Sequence, residues 1–376
     1  MTDDVRALEL GRGREPERSC AQELKAGFNW VGHARILLLT FTISAVVLIL
    51  FVAVLNPYGN LPWHIAGSHV VMDDNQRFQY PALIREKEYD SIVVGTSTSR
   101  LLDPELLDKQ FGGHFLNLAL NDGRAWEQSQ LMRLVQSEGS KLKTLIVGLD
   151  VVWCDQQADE RRTTKRGFPD WMYDANRWND LSFMLNGKAV EIAGRKLAYY
   201  VGLTEARISS RGFEVFVPPD ATYDAEKAKR KIWGNRAHRR TAASVPYVAA
   251  GEERQGWDFP ALKWLDADLG ALAAQRVILV FMPVHIAAQP RLGSDVAAVE
   301  MECKSRVAEL ARRHDAHLID FRIHSHLTTR DENYWDNLHY RLPIAGQIIA
   351  DIGDALETGG AAADGTWIVL SGSAGK

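Results

Sequence analysis

Apolar and polar positions divide the chain into an all-apolar stretch, a strand–helix alternation and a long irregular interruption of that alternation. The stretch Ile36–Leu55 (ILLLTFTISAVVLILFVAVL) holds no charged residue and has no polar face. Its length matches the roughly 20 residues a helix needs to cross the hydrocarbon core of a bilayer. Arg18, Lys25 and Arg35 precede it, whereas the next Lys or Arg is Arg77, with Asp73 and Asp74 in between. The positive-inside bias therefore predicts a cytoplasmic N-terminus, with the chain after about residue 56 periplasmic or extracellular. The segment ahead of the run is too long for the n-region of a cleaved signal peptide, and no small-x-small site follows. The expectation is a retained single-pass anchor in the cytoplasmic membrane. Residues 1–35 read as a polar cytoplasmic tail and residues 56–89 as a turn-rich connector.

From about Tyr80 the pattern becomes α/β. Residues 91–95 form a short apolar run without polar alternation, as expected of a strand buried on both faces. Asp103 as N-cap, Pro104 at the first helical position and Gly112 beyond the end delimit a helix. Further strands are predicted at 115–120, 144–149, 276–284 and 317–321. Helices are predicted at 121–139, with Trp126, Leu131, Leu134 and Val135 on an apolar side, and at 295–314. A last helix covers 343–356, where Ile344, Ile348, Ile352 and Leu356 recur at helical spacing. Alternation of this kind predicts a three-layer α/β/α domain over 90–357 around a mainly parallel five-stranded sheet, since parallel strands need helical crossovers. Residues 152–272 interrupt it as an insertion, and 358–376 read as a loose tail with one short apolar segment.

Composition narrows the partners. Apolar residues make up 46% against 24% charged, and the net charge of −4 leaves no basic excess to neutralise phosphates, so nucleic acid is not expected. Cys20, Cys154 and Cys303 form neither a disulfide framework nor a zinc spacing. Cys154 and Cys303 read as small buried apolar residues, with a bridge between them the alternative. The insertion holds Trp153, Trp171, Trp178, Trp233, Trp257 and Trp264 beside the basic stretches RKLAYY, EKAKRKIW and NRAHRR. Its tryptophans read first as core packing and second as platforms for an anionic glycan.

Parallel sheets carry their sites at the carboxyl ends of strands, and Ser97, Gly123 and Asp150 all fall just beyond such ends. Ser97 lies in GTSTS, directly after the first strand, with Ser99 as the alternative hydroxyl. A nucleophilic serine needs a base and a group that orients the base. Asp336 and His339, in DNLH just before the last helix, supply a carboxylate within one turn of an imidazole. His324 and His326 alternate in HSH, but no third ligand stands at metal-like spacing, so no metal is expected.

With Gly-x-Ser after the first strand, a glycine after the second and Asp-x-x-His before the last helix, the chain resembles the SGNH (GDSL-like) hydrolase superfamily over about 90–150 and 275–357. The resemblance implies Ser97 as nucleophile, His339 as base, Asp336 as orienting group, and the N–H groups of Ser97 and Gly123 as oxyanion donors. It implies no cofactor. A single anchor ahead of such a domain is similar to proteins of polysaccharide O-acetylation and teichoic acid D-alanylation. The function implied is a serine esterase or O-acyltransferase on acyl groups of an envelope polysaccharide. Its partners are then the acylated polymer or an acyl donor, the membrane, and other envelope-assembly proteins. Two positions depart from the family pattern: Thr96 stands where an Asp is usual, and Asp150 where the third block usually ends in Asn. An ionised Asp cannot donate to an oxyanion, and one such donor is worth about 2.7–4 kcal/mol. Asp150 is then protonated, or another donor, with Asn121 the nearest in sequence to Gly123, substitutes, or activity is weak or absent. The alternative function is a silent SGNH-like domain that binds glycan or an assembly partner. Asp150 and His285, the latter after the fourth strand, are the candidate substrate contacts.

Overall fold

In the computed structural model, which describes residues 29–63, 70, 72–235 and 241–372, the apolar runs become strands of one sheet. Strands β1 (Ser91–Val94), β2 (Phe115–Asn117), β3 (Leu142–Leu149), β4 (Ala274–Phe281) and β5 (His317–Asp320) are parallel. The order is β2-β1-β3-β4-β5-β6, with β6 (Ile368–Ser371) antiparallel to β5. The sheet thus has six strands rather than five. The short apolar segment of the expected tail covers the open edge of β5, whose N–H and C=O groups would otherwise lack ladder partners. Order reverses at β1, which pairs with β2 on one side and β3 on the other, and the crevice between β1 and β3 is where a doubly wound sheet binds ligands.

Two units are distinguished by their contacts, residues up to Leu50 and residues from Phe51. The helix α1 (Trp30–Leu55) contains an 18-residue window of mean hydropathy 2.9 and is long and apolar enough to cross a membrane. The N-terminal tail through residue 28 lies outside the described residues.

In the second unit, successive strand residues point to opposite faces, and both faces are buried. Ile92, Val94, Leu145, Val147, Leu279, Phe281 and Leu318 share one cluster with helices α2 (Tyr80–Glu86), α4 (Ala125–Ser137), α7 (Pro260–Ala271) and α8 (Asp295–Arg313). Val93, Ile146, Ile278, Val280 and Ile319 share the other with α3 (Pro104–Phe111), α6 (Ala225–Trp233) and α9 (Leu342–Thr358). Strands this apolar in both directions fit only a sheet covered twice. Asp103 caps α3 through Glu105 N, and Gly112 closes it, as the sequence predicts. Helix α2 belongs to the first cluster although it falls in the stretch expected as a connector: Tyr80, Leu83 and Ile84 are buried. Between β3 and β4 the insertion is helical, with α5 (Gly187–Tyr200), α6 and α7 joined by irregular turns.

Cys154 and Cys303 are joined by a disulfide, with Cα atoms 5.7 Å apart and a sequence separation of 149. This corrects the reading of two unlinked apolar residues. Spacing along a chain says nothing of a pairing that depends on α8 docking beside the turn after β3. Closing so long a loop removes disorder from the unfolded chain and is worth about 2–5 kcal/mol. Cys154→Ser paired with Cys303→Ser is accordingly expected to lower the melting temperature by several degrees, and calorimetry of the oxidised wild type beside the variant tests it.

Candidate active site

Beyond Val94 the chain turns sharply: Ser99 N donates to Thr96 O (3.0 Å) and Arg100 N to Ser97 O (3.4 Å). A Cβ on Gly95 or on Gly148 would strike the Ser99 side chain, so both glycines are needed to pack that serine between β1 and β3. Ser99 is therefore a packing residue, fully buried. Among residues 91–100, Ser97 alone is half-buried, and the turn presents its hydroxyl outward.

The opposing loop is a tight hairpin. Tyr334 and Tyr340 bridge in antiparallel fashion, and Trp335 N donates to His339 O (2.9 Å). Within it, Asp336 Oδ1 accepts the N–H groups of Leu338 (2.8 Å) and His339 (2.9 Å). Its Oδ2 lies 2.9 Å from His339 Nδ1. His339 Nε2 in turn lies 3.0 Å from Ser97 Oγ. Burial alone would raise the Asp336 carboxyl, but the hydrogen bonds and charge of His339 and the two backbone N–H groups outweigh it and hold the carboxyl below its ordinary value. An ionised Asp336 fixes Nδ1 as the protonated nitrogen and leaves Nε2 to accept from Ser97. The imidazole is also wedged by Phe216 of the insertion, edge-on at 5.2 Å. Phe216 carries the Arg100 guanidinium at 4.6 Å, and Arg100 is paired with buried Glu214.

Ser97, Gly123 and Asp150 meet in one cavity of about 170 Å³, closed by Thr96, Val284, Leu338 and Arg322. The Gly123 N–H donates to Leu120 O at 3.3 Å, a long bond within the turn. Asp150 accepts Thr96 Oγ1 at one oxygen and Val152 N (3.1 Å) at the other. Burial raises its carboxyl, against the lowering by Thr96, Val152 N and the charges of Arg322 and Arg124. The two departures from the family pattern are thus partners of each other, a hydroxyl at 96 resting on a carboxyl at 150.

Two other residues singled out in the sequence lie elsewhere. The Asn121 carbonyl accepts Arg77 Nη1 (3.2 Å), and Asn121 is not among the cavity's lining residues. His285 is fully buried beneath the hairpin, its ring edge-on to Trp233 and Tyr334. Its N–H donates to Asn337 O (3.2 Å), and its Nε2 lies 3.1 Å from Asp331. It buttresses the hairpin that carries Asp336 and His339 and does not line the cavity.

Sequence reasoning passed over three groups. Arg77 and Glu127, both fully buried, form a two-pronged pair at 2.8 and 2.6 Å. Glu127 also accepts Arg124 N (2.8 Å), and Arg77 Nη2 reaches Asp122 O (3.4 Å), so this pair sets the turn that carries Gly123. Arg322, in the cavity wall, pairs with Glu300 (3.0 Å) behind it. Phe216 is the third. Glu127 had a local signal, an acid three residues into its helix; Arg77 and Phe216 had none. The protein-family models and the curated proteins compared with this chain contain no match to it.

Arg77→Met strands the Glu127 carboxylate in the interior, a loss of about 3–5 kcal/mol. Denaturant titration should show that loss, partly restored in Arg77→Met with Glu127→Gln. Because the folded Asp336 carboxyl titrates below its unfolded value of about 3.9, its contribution is whole above about pH 5 and is lost as pH falls through the folded value. Wild type should therefore exceed Asp336→Asn in stability at neutral pH and keep that margin down to about pH 5, below which the two converge.

Proposed function

We propose that the chain is a membrane-anchored, SGNH-like serine esterase or O-acyltransferase, acting on acyl groups of an extracytoplasmic envelope polysaccharide. The observation that carries this reading is the unbroken series Asp336–His339–Ser97, at 2.9 and 3.0 Å, ending on a half-buried hydroxyl at a cavity. In the proposed reaction Ser97 Oγ attacks the ester carbonyl as its proton passes to His339 Nε2. Asp336 stabilises the imidazolium without taking the proton. The tetrahedral oxyanion lies against the Ser97 and Gly123 N–H groups. Collapse expels the alcohol, which receives the proton from His339, and leaves an acyl-serine. Water or a sugar hydroxyl then attacks that ester with His339 again as base, giving hydrolysis or transfer.

The parallel order β2-β1-β3-β4-β5, with the site over its switch point, supports the SGNH-like three-layer reading. A cavity of about 170 Å³ suits a short acyl group. The disulfide supports an oxidising compartment, and Arg18, Lys25 and Arg35 ahead of α1 support a cytoplasmic N-terminus. The exposed Lys227, Lys229, Arg230 and Lys231 of the insertion support an anionic glycan as acceptor or substrate.

A second reading, a silent SGNH-like domain that binds glycan or an assembly partner, draws on Asp150 standing where a donor is needed and on the Gly123 N–H being engaged with Leu120. A fluorophosphonate probe separates the two. Intact-mass measurement should find one adduct on detergent-purified wild type and none on Ser97→Ala or His339→Ala. Absence of the wild-type adduct, with folded protein and a control hydrolase labelled, would leave the binding reading.

A further inference from the structure

The globular unit leaves a group of large apolar side chains in water between Trp178 and Leu203. Trp178 is 73% exposed, Phe183 48%, Leu185 49%, Leu197 44%, Val201 61% and Leu203 80%. The other side of this segment is packed: Met184, Ala189 and Ile192 are buried in one cluster with Val52, Tyr58 and Leu61. Polar contacts fix it to the same short stretch of chain. Arg177 donates to the carbonyls of Asn60 and Leu61, both at 2.7 Å, Lys196 Nζ donates to Asn56 O at 3.0 Å, and the Trp178 ring lies 5.8 Å from that of Trp63. Residues 51–55 are the last turn of α1, and residues 56–63 are its direct continuation. On the reading that α1 spans a bilayer, this is where the chain leaves the lipid, and what is bolted to it stands at headgroup level.

We propose that residues 178–203 form a collar lying in the interfacial layer of the lipid bilayer, with their exposed apolar side chains at the acyl boundary. Apolar groups concentrated on one segment are costly in water and favourable there, and tryptophan is enriched at that depth. The mode is apolar. Lys188 is paired with Glu191 (3.3 Å), and Arg195 with Asp74 (3.3 Å) and Glu191 (2.6 Å), so their charges are balanced within the protein. Attachment therefore does not require anionic lipid.

The test uses the full chain with Cys20→Ser and the disulfide retained, reconstituted in phosphatidylcholine vesicles. Single cysteines at Val201→Cys and Leu203→Cys carry an environment-sensitive fluorophore, and Val248→Cys, equally open at 86% exposure, is the reference. Both collar probes should shift to the blue and lose more than half their emission to nitroxides about 5–10 Å below the headgroups. The Val248 probe should do neither, and the pattern should persist in about 1 M salt. Collar probes indistinguishable from the Val248 probe, on vesicles that carry the chain, would overturn the collar while leaving the membrane span intact. Dependence on anionic lipid or loss at high salt would overturn the apolar mode. A chain that fails to float with the vesicles would overturn the span and the collar together.

Discussion

The candidate site of this protein closes on one hydrogen bond, between His339 Nε2 and Ser97 Oγ, across 242 residues of chain. Its own net worth is about 0.5–1.5 kcal/mol, far too little to hold two loops together. The geometry is instead imposed from behind. Tyr340 donates its buried hydroxyl to Thr98 O, a second link between the same two turns. From the loop after β4, His285 N and Ile286 N donate to Asn337 O and Thr328 O at 3.2 and 2.9 Å. The hairpin that carries Asp336 and His339 therefore rests on the neighbouring loop, and the imidazole arrives at Ser97 already oriented.

Charge is treated in two ways around the same edge. Where it serves position it is buried and paired: Arg77 with Glu127, Lys304 with Asp320 at 2.7 Å, Arg322 with Glu300. Such pairs yield little net stability, because desolvation consumes the attraction, yet removing one partner is severe. They act as constraints on where the turns lie. At the cavity and the hairpin beside it, the environments of two carboxyls differ. Asp336, supplied with hydrogen-bond donors, is held ionised, whereas Asp150, buried against a threonine hydroxyl, is pushed toward its neutral form. Two carboxyls in one site thus differ in proton affinity through their surroundings alone.

Much of this was legible in the sequence because it is local. Apolar runs announced β1 to β5, Asp103 and Pro104 announced the start of α3, and the three-residue spacing of Asp336 and His339 is itself the hairpin geometry that brings them together. What was hidden depends on distant parts meeting. The tail segment Ile368–Ser371 becomes a strand only because β5 leaves an edge beside it. Arg77, in a stretch that reads as connector, finds Glu127 only once α2 and α4 have packed. His285 stood after a strand end, where ligand contacts are expected, but its ring is occupied by Trp233, Tyr334 and Asp331. Polar residues near a strand end can serve the ligand or the loop above it, and sequence does not distinguish these uses.

The separation of Ser97 from His339 also bears on the protein's biosynthesis. Ser97 is made long before His339, with all of the insertion and both ends of the disulfide between them. A nascent or clipped chain that stops short of the hairpin can form the turn after β1 but lacks the imidazole that faces Ser97. The contact between Ser97 and His339 therefore forms only once the hairpin has been made and docked, so the order of synthesis sets the order in which this edge is assembled: a shortened copy of this protein keeps the turn but lacks the contact.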